Sequence, residues 1–176
     1  MDRIKPFEPL FGEWYAESFI GAGSFGRVYK IYRDELGDRY YAALKYIPIP
    51  AIDEEVETLR EEGMDEASIS TYYSSVAKDL AAETRLMNKL KGFSNIVSYE
   101  DSRIVPRAGG FGYDVFIRME LLESLSSRMR KAPLTRDEIV KIGMDITTAL
   151  EVCNDNGIIH RDLKPDNIFV NSHGDY

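Results

Sequence analysis

The sequence predicts an α+β fold, with a β-rich beginning, a helical middle, two further strands and a closing helix. Three observations carry that prediction. Three short runs rich in aromatic and β-branched residues open the chain between turn-forming segments. An apolar stripe at steps of three, four and seven residues spans the middle, and a capping box introduces a second long helix at Thr135. The 176 residues fall within the roughly 100–200 of one ordinary domain. With 44% hydrophobic residues there is apolar side chain enough for a sizeable core. Thirty Asp and Glu against 22 Lys and Arg give a net charge of −8, which supplies no overall field for phosphate backbones or anionic membranes and argues against nucleic acid as a partner. The single cysteine, Cys153, cannot form an internal disulfide, and no Cys/His cluster has metal-ligand spacing, so a reducing, cytoplasmic setting is expected. Neither a signal peptide nor a membrane-spanning run of apolar residues is expected.

Taken in order, residues Trp14 to Ala22, Phe25 to Arg33 and Arg39 to Ile47 read as an antiparallel three-strand meander. Gly21-Ala22-Gly23-Ser24 and Asp34-Glu35-Leu36-Gly37-Asp38 form its turns. Pro48 and Pro50 are expected to stop the third strand. An acidic helical stretch from about Ile52 to Glu62 then ends at Gly63. A longer helix runs from Asp65 or Ser68 to Leu90, with Val76, Leu80, Met87 and Leu90 on one face and Glu83 on that same face. A carboxylate inside an apolar stripe calls for a buried or half-buried cation partner; the alternative is an exposed place at the stripe's edge. Asn95 to Ile104 and Tyr113 to Leu122 read as two more strands. Thr135-Arg136-Asp137-Glu138 caps a helix bearing Ile139, Ile142, Ile146, Ala149, Leu150 and Cys153, ended by Asn156-Gly157. On that stripe Cys153 reads as a small buried apolar residue.

Three motifs carry chemistry. Gly21-Ala22-Gly23-Ser24-Phe25-Gly26-Arg27-Val28 is G-x-G-x-x-G-x-V between two predicted strands. A dinucleotide fingerprint would need a following helix and a Walker A loop would need Gly-Lys-Ser/Thr, so a glycine flap over phosphates remains, beside a plain hairpin. Ala43-Leu44-Lys45 places a lysine in a strand, where it either meets an anion or is solvated. Glu83 and Lys45 explain each other as an ion pair that holds the lysine ready for phosphate oxygens. The sharpest signal is Ile159-His160-Arg161-Asp162-Leu163-Lys164-Pro165-Asp166-Asn167-Ile168-Phe169-Val170, since a plain turn has no use for His-Arg-Asp followed by Lys two and Asn five residues after the Asp.

With these motifs in this order, the chain from Trp14 to Tyr176 resembles a eukaryotic-type serine/threonine protein kinase domain, bacterial members included. The resemblance implies a five-stranded antiparallel N-lobe with its helix over residues 1–122, and a partial helical C-lobe over 123–176. It implies ATP and Mg²⁺, with Gly21, Gly23, Gly26 and Val28 as the nucleotide flap and Lys45, paired with Glu83, on the α- and β-phosphates. Ala43, Val28 and Phe169 would sandwich adenine, with Met119 at the gatekeeper position and Glu120 and Leu122 on the hinge. Asp162 would accept or orient the substrate hydroxyl's proton, Lys164 would neutralise the transferred phosphoryl group, and Asn167 would ligate Mg²⁺. Lys164 stands where tyrosine kinases usually carry Ala, which favours Ser and Thr in a protein substrate, and Arg161 suggests control through a phosphorylated activation loop.

The same resemblance places a further strand and an Asp-Phe-Gly motif immediately after Tyr176, so this chain is expected to be the portion of a kinase that precedes them. Its incomplete C-lobe is expected to leave an apolar surface open to self-association. The acidic segment 52–66 reads as an insertion, either a solvated one or a regulatory helix. The rival to an active enzyme is a catalytically inactive module that binds a nucleotide or a partner; a small-molecule kinase of related fold ranks behind both.

Overall fold

The computed structural model describes residues 3–23, 26–108 and 110–176. Ser24 and Phe25 of the glycine motif, and Gly109, lie outside the described residues. The chain divides into two units, Met1–Lys89 with Tyr99–Leu121, and Leu90–Ser98 with Leu122–Tyr176.

The first unit is built on a five-stranded antiparallel sheet. Its strands are β1 (Tyr15–Gly23), β2 (Gly26–Glu35), β3 (Asp38–Ile49), β4 (Tyr99–Pro106) and β5 (Tyr113–Met119), in the spatial order β1-β2-β3-β5-β4. The meander lies within two residues of its predicted bounds; of the two later strands, β4 begins at Tyr99 instead of Asn95, since Asn95 turns through φ +62°, and β5 ends at Met119 instead of Leu122. β3, however, runs through Pro48 to Ile49, where Pro48 pairs with Asp114 of β5. Among the described residues the β2 ladder starts only at Arg27↔Tyr46, so on that side no described strand residue needs the N–H that proline lacks.

Alternation along the strands divides the core between the two faces of the sheet. On one face Tyr29, Ile31, Ala42, Leu44, Tyr46 and Phe116 pack with Ile4, Leu10 and Trp14 from the N-terminal segment. On the other, Ile47, Ile49, Val115 and Ile117 pack with residues of two helices, α1 (Glu54–Glu61) and α2 (Glu66–Lys89). α1 is the acidic insertion, shorter than predicted, and it buries Val56. α2 buries Ile69, Tyr73, Ala77 and Thr84, while Val76, Leu80 and Met87 pack at the margin. The buried stripe therefore runs one residue away from the predicted row, through Thr84, whose hydroxyl is satisfied by the Ala81 carbonyl at 3.0 Å. Glu83, next to it and about 100° around the helix, is exposed at the edge of the stripe, not buried within it.

A buried polar cluster ties the strands together. The Tyr46 hydroxyl donates to Asp114 Oδ1 at 2.7 Å. Arg107 reaches the same oxygen at 3.3 Å and the Pro50 carbonyl at 3.1 Å. Burial, reinforced by the bond to Asp114, pushes the Tyr46 phenol up to about 12.

In the second unit, a two-stranded ladder of β6 (Glu123–Ser124) and β7 (Phe169–Val170) brackets α3 (Leu125–Lys131) and α4 (Arg136–Asp155) in the chain. The predicted capping box closes α4 at both groups: Thr135 Oγ1 accepts from the Glu138 N–H at 3.2 Å and Glu138 accepts from the Thr135 N–H at 2.8 Å. Gly157, at φ +70°, ends the helix. Cys153 is buried and Ile142, Ile146 and Ala149 are half-buried, but Ile139 and Leu150, predicted for the same stripe, are exposed, as are Val140 and Met144. The exposed apolar residues Val140 and Met144 stand on a side of the helix away from Cys153. No helix among the described residues is long and apolar enough to cross a membrane.

Candidate active site

The first group of candidate residues sits on the sheet of the first unit. Val28 lies opposite Lys45 on the β2–β3 ladder, and Ala43 lies opposite Met119 on the β3–β5 ladder. Directly opposed strand residues share a face, and Ala43 and Lys45 are two apart, so Val28, Ala43, Lys45 and Met119 all stand on the helix-bearing face. Gly21 pairs with Val28, and Gly23 with Gly26, which closes the hairpin at the edge of this group.

The three glycines are not equivalent. Gly26 adopts φ +132°, and an added Cβ would lie 2.4 Å from the Tyr46 carbonyl oxygen, so the fold itself demands glycine there. An added Cβ on Gly21 or Gly23 would meet nothing within 4 Å. Among the described residues, neighbouring protein therefore gives no reason for glycine at those two positions.

Lys45 is half-buried. Burial lowers its ammonium from the usual lysine range, and the Glu83 carboxylate opposes that by favouring the charged form. Glu83 itself is exposed. Glu120 is half-buried just past the end of β5.

The second group belongs to the second unit. Asp162, Lys164 and Asn167 converge on one carboxylate: Lys164 Nζ lies 2.9 Å from Asp162 Oδ2, and Asn167 Nδ2 donates to that oxygen and to the Asp162 carbonyl, both at 2.8 Å. These bonds, the Lys164 one foremost, hold the Asp162 carboxyl below the usual carboxylate range, so it is ionised near neutral pH. Local backbone geometry builds this arrangement. Arg161 turns through φ +61°, a conformation that costs a non-glycine residue roughly 1 kcal/mol or more. The Asp162 N–H then donates to the His160 carbonyl at 2.9 Å, and a 3₁₀ turn over Pro165–Asn167 returns the Asn167 N–H to the Lys164 carbonyl at 2.9 Å.

Contacts that the sequence did not reveal hold this loop from behind. Ser126 of α3 donates to the Asp166 carboxylate, Leu125 N–H donates to the Ile168 carbonyl at 2.7 Å, and Phe169 pairs with Ser124 across the β6–β7 ladder. Leu122 immediately precedes that ladder and is half-buried, as is Phe169. The one signal that could have found α3 is Ser124, whose side chain accepts from the Ser127 N–H as an N-cap ahead of Leu-Ser-Ser-Arg-Met-Arg-Lys. The two-residue strands carry no periodicity to read.

The two groups supply a glycine-edged sheet face with a half-buried ammonium, and a carboxylate flanked by an ammonium and a carboxamide. The first chemistry suits a polyanion beside an apolar ring; the second suits proton transfer next to developing phosphoryl charge.

Comparison with known proteins gives the family of the chain. The family model described as protein kinase domain matches residues 14–176. A probable serine/threonine-protein kinase of Lactococcus lactis is 36% identical over 83 residues, covering 46% of this chain and 12% of that protein. A serine/threonine-protein kinase of Saccharomyces cerevisiae is 27% identical over 172 residues, 90% of this chain and 14% of its own length. A probable serine/threonine-protein kinase of Dictyostelium discoideum is 28% identical over 168 residues, 90% of this chain and 11% of its length. The chain spans a small part of each of these relatives. With the family model matched over nearly its whole length, and the sheet and helices in the order that family requires, this chain belongs to the protein kinase domain family, with serine/threonine kinases as its relatives.

Proposed function

We propose that this chain is the ATP-binding and catalytic-loop portion of a serine/threonine kinase that transfers the γ-phosphoryl group of ATP to a protein hydroxyl. The observation that carries the proposal is the convergence of Lys164 and Asn167 on the Asp162 carboxylate. In this reading, residues 1–122 form the nucleotide lobe and 123–176 the start of the second lobe. Gly21, Gly23, Gly26 and Val28 cover the phosphates, and Lys45, steadied by Glu83, meets the α- and β-phosphate oxygens. Ala43, Met119, Glu120, Leu122 and Phe169 line the adenine side. Asp162 takes or orients the Ser/Thr hydroxyl proton as that oxygen bonds to the γ-phosphorus and the bond to ADP breaks. Lys164 balances the charge on the transferred group.

Mg²⁺, which the family implies, suits the donors present. The Asn167 amide nitrogen is committed to Asp162, which leaves its carbonyl oxygen as a hard ligand beside a carboxylate. When bound, the ion neutralises phosphate charge. The half-buried strand lysine and the open space over Gly21 and Gly23 support ATP as the phosphoryl donor. The buried free thiol of Cys153 supports a reducing, cytoplasmic setting, and the exposed Ile139, Val140 and Met144 of α4 support self-association of this portion.

The test is transfer from γ-labelled ATP to protein by the full-length kinase. Replacing Lys45 by Ala is expected to abolish it, and unchanged transfer would refute the assignment. Nucleotide binding with no transfer at all would favour the inactive regulatory module.

A further inference from the structure

Residues 3–13 precede the region matched by the kinase family model, yet they are built into the core of the sheet. Ile4 is fully buried, and Leu10 and Trp14 are nearly so, against Tyr29, Ile31, Leu44, Tyr46 and Phe116. A 3₁₀ turn at Lys5–Phe7 sets the Phe7 ring 4.8 Å from Phe116 and 6.5 Å from Tyr46. Those two rings stack on each other at 5.2 Å. The segment is then fastened at its far end. Leu10 N–H donates to the Trp14 carbonyl at 2.8 Å, and the Glu8 carboxylate accepts from the Ala16 N–H at 2.8 Å. Arg118 lies over both Phe11 and Trp14, at 5.7 and 4.9 Å.

The register gives this packing a consequence for the site. Tyr46 directly follows Lys45 on β3, Tyr46 pairs with Phe116, and Lys45 pairs with Ile117. Successive strand residues point to opposite faces, so the ring partners of Phe7 are the strand positions immediately behind Lys45 and Ile117. Arg118, held over Phe11 and Trp14, directly precedes Met119 in the same way. A face covered only by β-strand side chains would leave Tyr46, Phe116 and Leu44 to water; the segment removes that exposure.

We infer that residues 4–14 are a positioning strap for Lys45, with Phe7 as its wedge: by packing on Tyr46 and Phe116 the strap holds β3 where the Lys45 ammonium meets nucleotide phosphate. The inference rests on the assignment of Lys45 to phosphate given above. Phe7 touches no reacting atom, and it acts through Tyr46.

The test compares the affinities of the full-length kinase, wild type, Phe7→Ala, Phe7→Tyr and Lys45→Met, for ADP and for adenosine, by calorimetry with Mg²⁺ present, alongside their melting temperatures. Lys45 addresses phosphates, so the readout is the ratio of the adenosine Kd to the ADP Kd. Phe7→Ala is expected to lower this ratio about tenfold, a fraction of the ~10²-fold that a 1 Å misplacement can cost. Its adenosine affinity is expected to stay within about twofold of wild type, since the strap packs on the face opposite Val28 and Ala43. Phe7→Tyr, which keeps the ring, is expected to keep the ratio, and adding Phe7→Ala to Lys45→Met is expected to change nothing further. Parallel weakening of both ligands, or a Phe7 effect that persists without Lys45, would overturn the strap while leaving the functional reading intact. A wild-type full-length kinase that binds ADP no better than adenosine would overturn both. If Phe7→Ala does not fold, Phe7→Val leaves a smaller void and is expected to lower the ratio about threefold; an unchanged ratio in that variant would also overturn the strap.

Discussion

Replacing Tyr46 by Phe isolates one contact in the sheet, because it deletes a single hydroxyl and keeps the ring stacked on Phe116. That hydroxyl donates to Asp114 Oδ1 at 2.7 Å, and Asp114 is 6% exposed. Without it, the oxygen keeps only the two longer bonds from Arg107, both 3.3 Å. A hydrogen bond to a charged group contributes about 1.5–3 kcal/mol, so the expected loss is about 2 kcal/mol. For a chain of this length that is a fall in Tm of about 4–8 °C. The pH dependence gives a second signature. The phenol is pushed from 10.0 up to about 12, so its contribution is complete below pH 10 and is lost as pH rises toward 12. At about 1.4 kcal/mol per unit, the swing is at most about 3 kcal/mol. Urea unfolding followed by the fluorescence of Trp14, the single tryptophan, reports on this sheet. The stability gap between wild type and Tyr46→Phe should be about 2 kcal/mol at pH 7 and should narrow between pH 10 and 12. A gap below about 0.5 kcal/mol, or one that stays constant to pH 12, would refute the reasoning.

The glycine motif separates fold from function. Gly26→Ala drives a Cβ into the Tyr46 carbonyl and should destabilise the chain by more than about 1 kcal/mol, whereas Gly23→Ala, with open space around it, should leave the melting temperature near wild type and weaken ADP binding; thermal melts and ADP titrations of the two variants check this. In the second unit, Thr135→Ala removes half of the α4 capping box and should cost about 1 kcal/mol, measured by denaturant unfolding; no change would mean that the box does not stabilise α4.

The elements that the sequence made legible are those with their own periodicity or punctuation. The meander, α4 with its Thr135–Glu138 box, and the loop around Asp162 all follow from local pattern. What stayed illegible depends on neighbours. The row of α2 that faces the sheet is chosen by Ile69, Tyr73 and Ala77 fitting against Ile47 and Ile117, and that choice leaves Glu83 at the edge. Pro48 continues β3 because it pairs with Asp114 of β5, a fact of register and not of composition. Residues 3–13 show no strand or helix signal, yet they close one face of the sheet, since a few large side chains anchor a segment that has almost no regular structure. In the second unit, the Ser126–Asp166 bond joins residues forty positions apart and could not be read from either segment.

The central claim is that Asp162, with Lys164 and Asn167 converging on it, serves phosphoryl transfer to serine and threonine. The most direct test is phosphoamino-acid analysis of protein labelled from γ-labelled ATP by the full-length kinase, wild type against Asp162→Asn. The account predicts phosphoserine and phosphothreonine from the wild type, and a rate lowered about 10²–10⁴-fold in the variant, in which the hydroxyl proton loses its acceptor. Label on tyrosine alone, or transfer by Asp162→Asn at the wild-type rate, would contradict it.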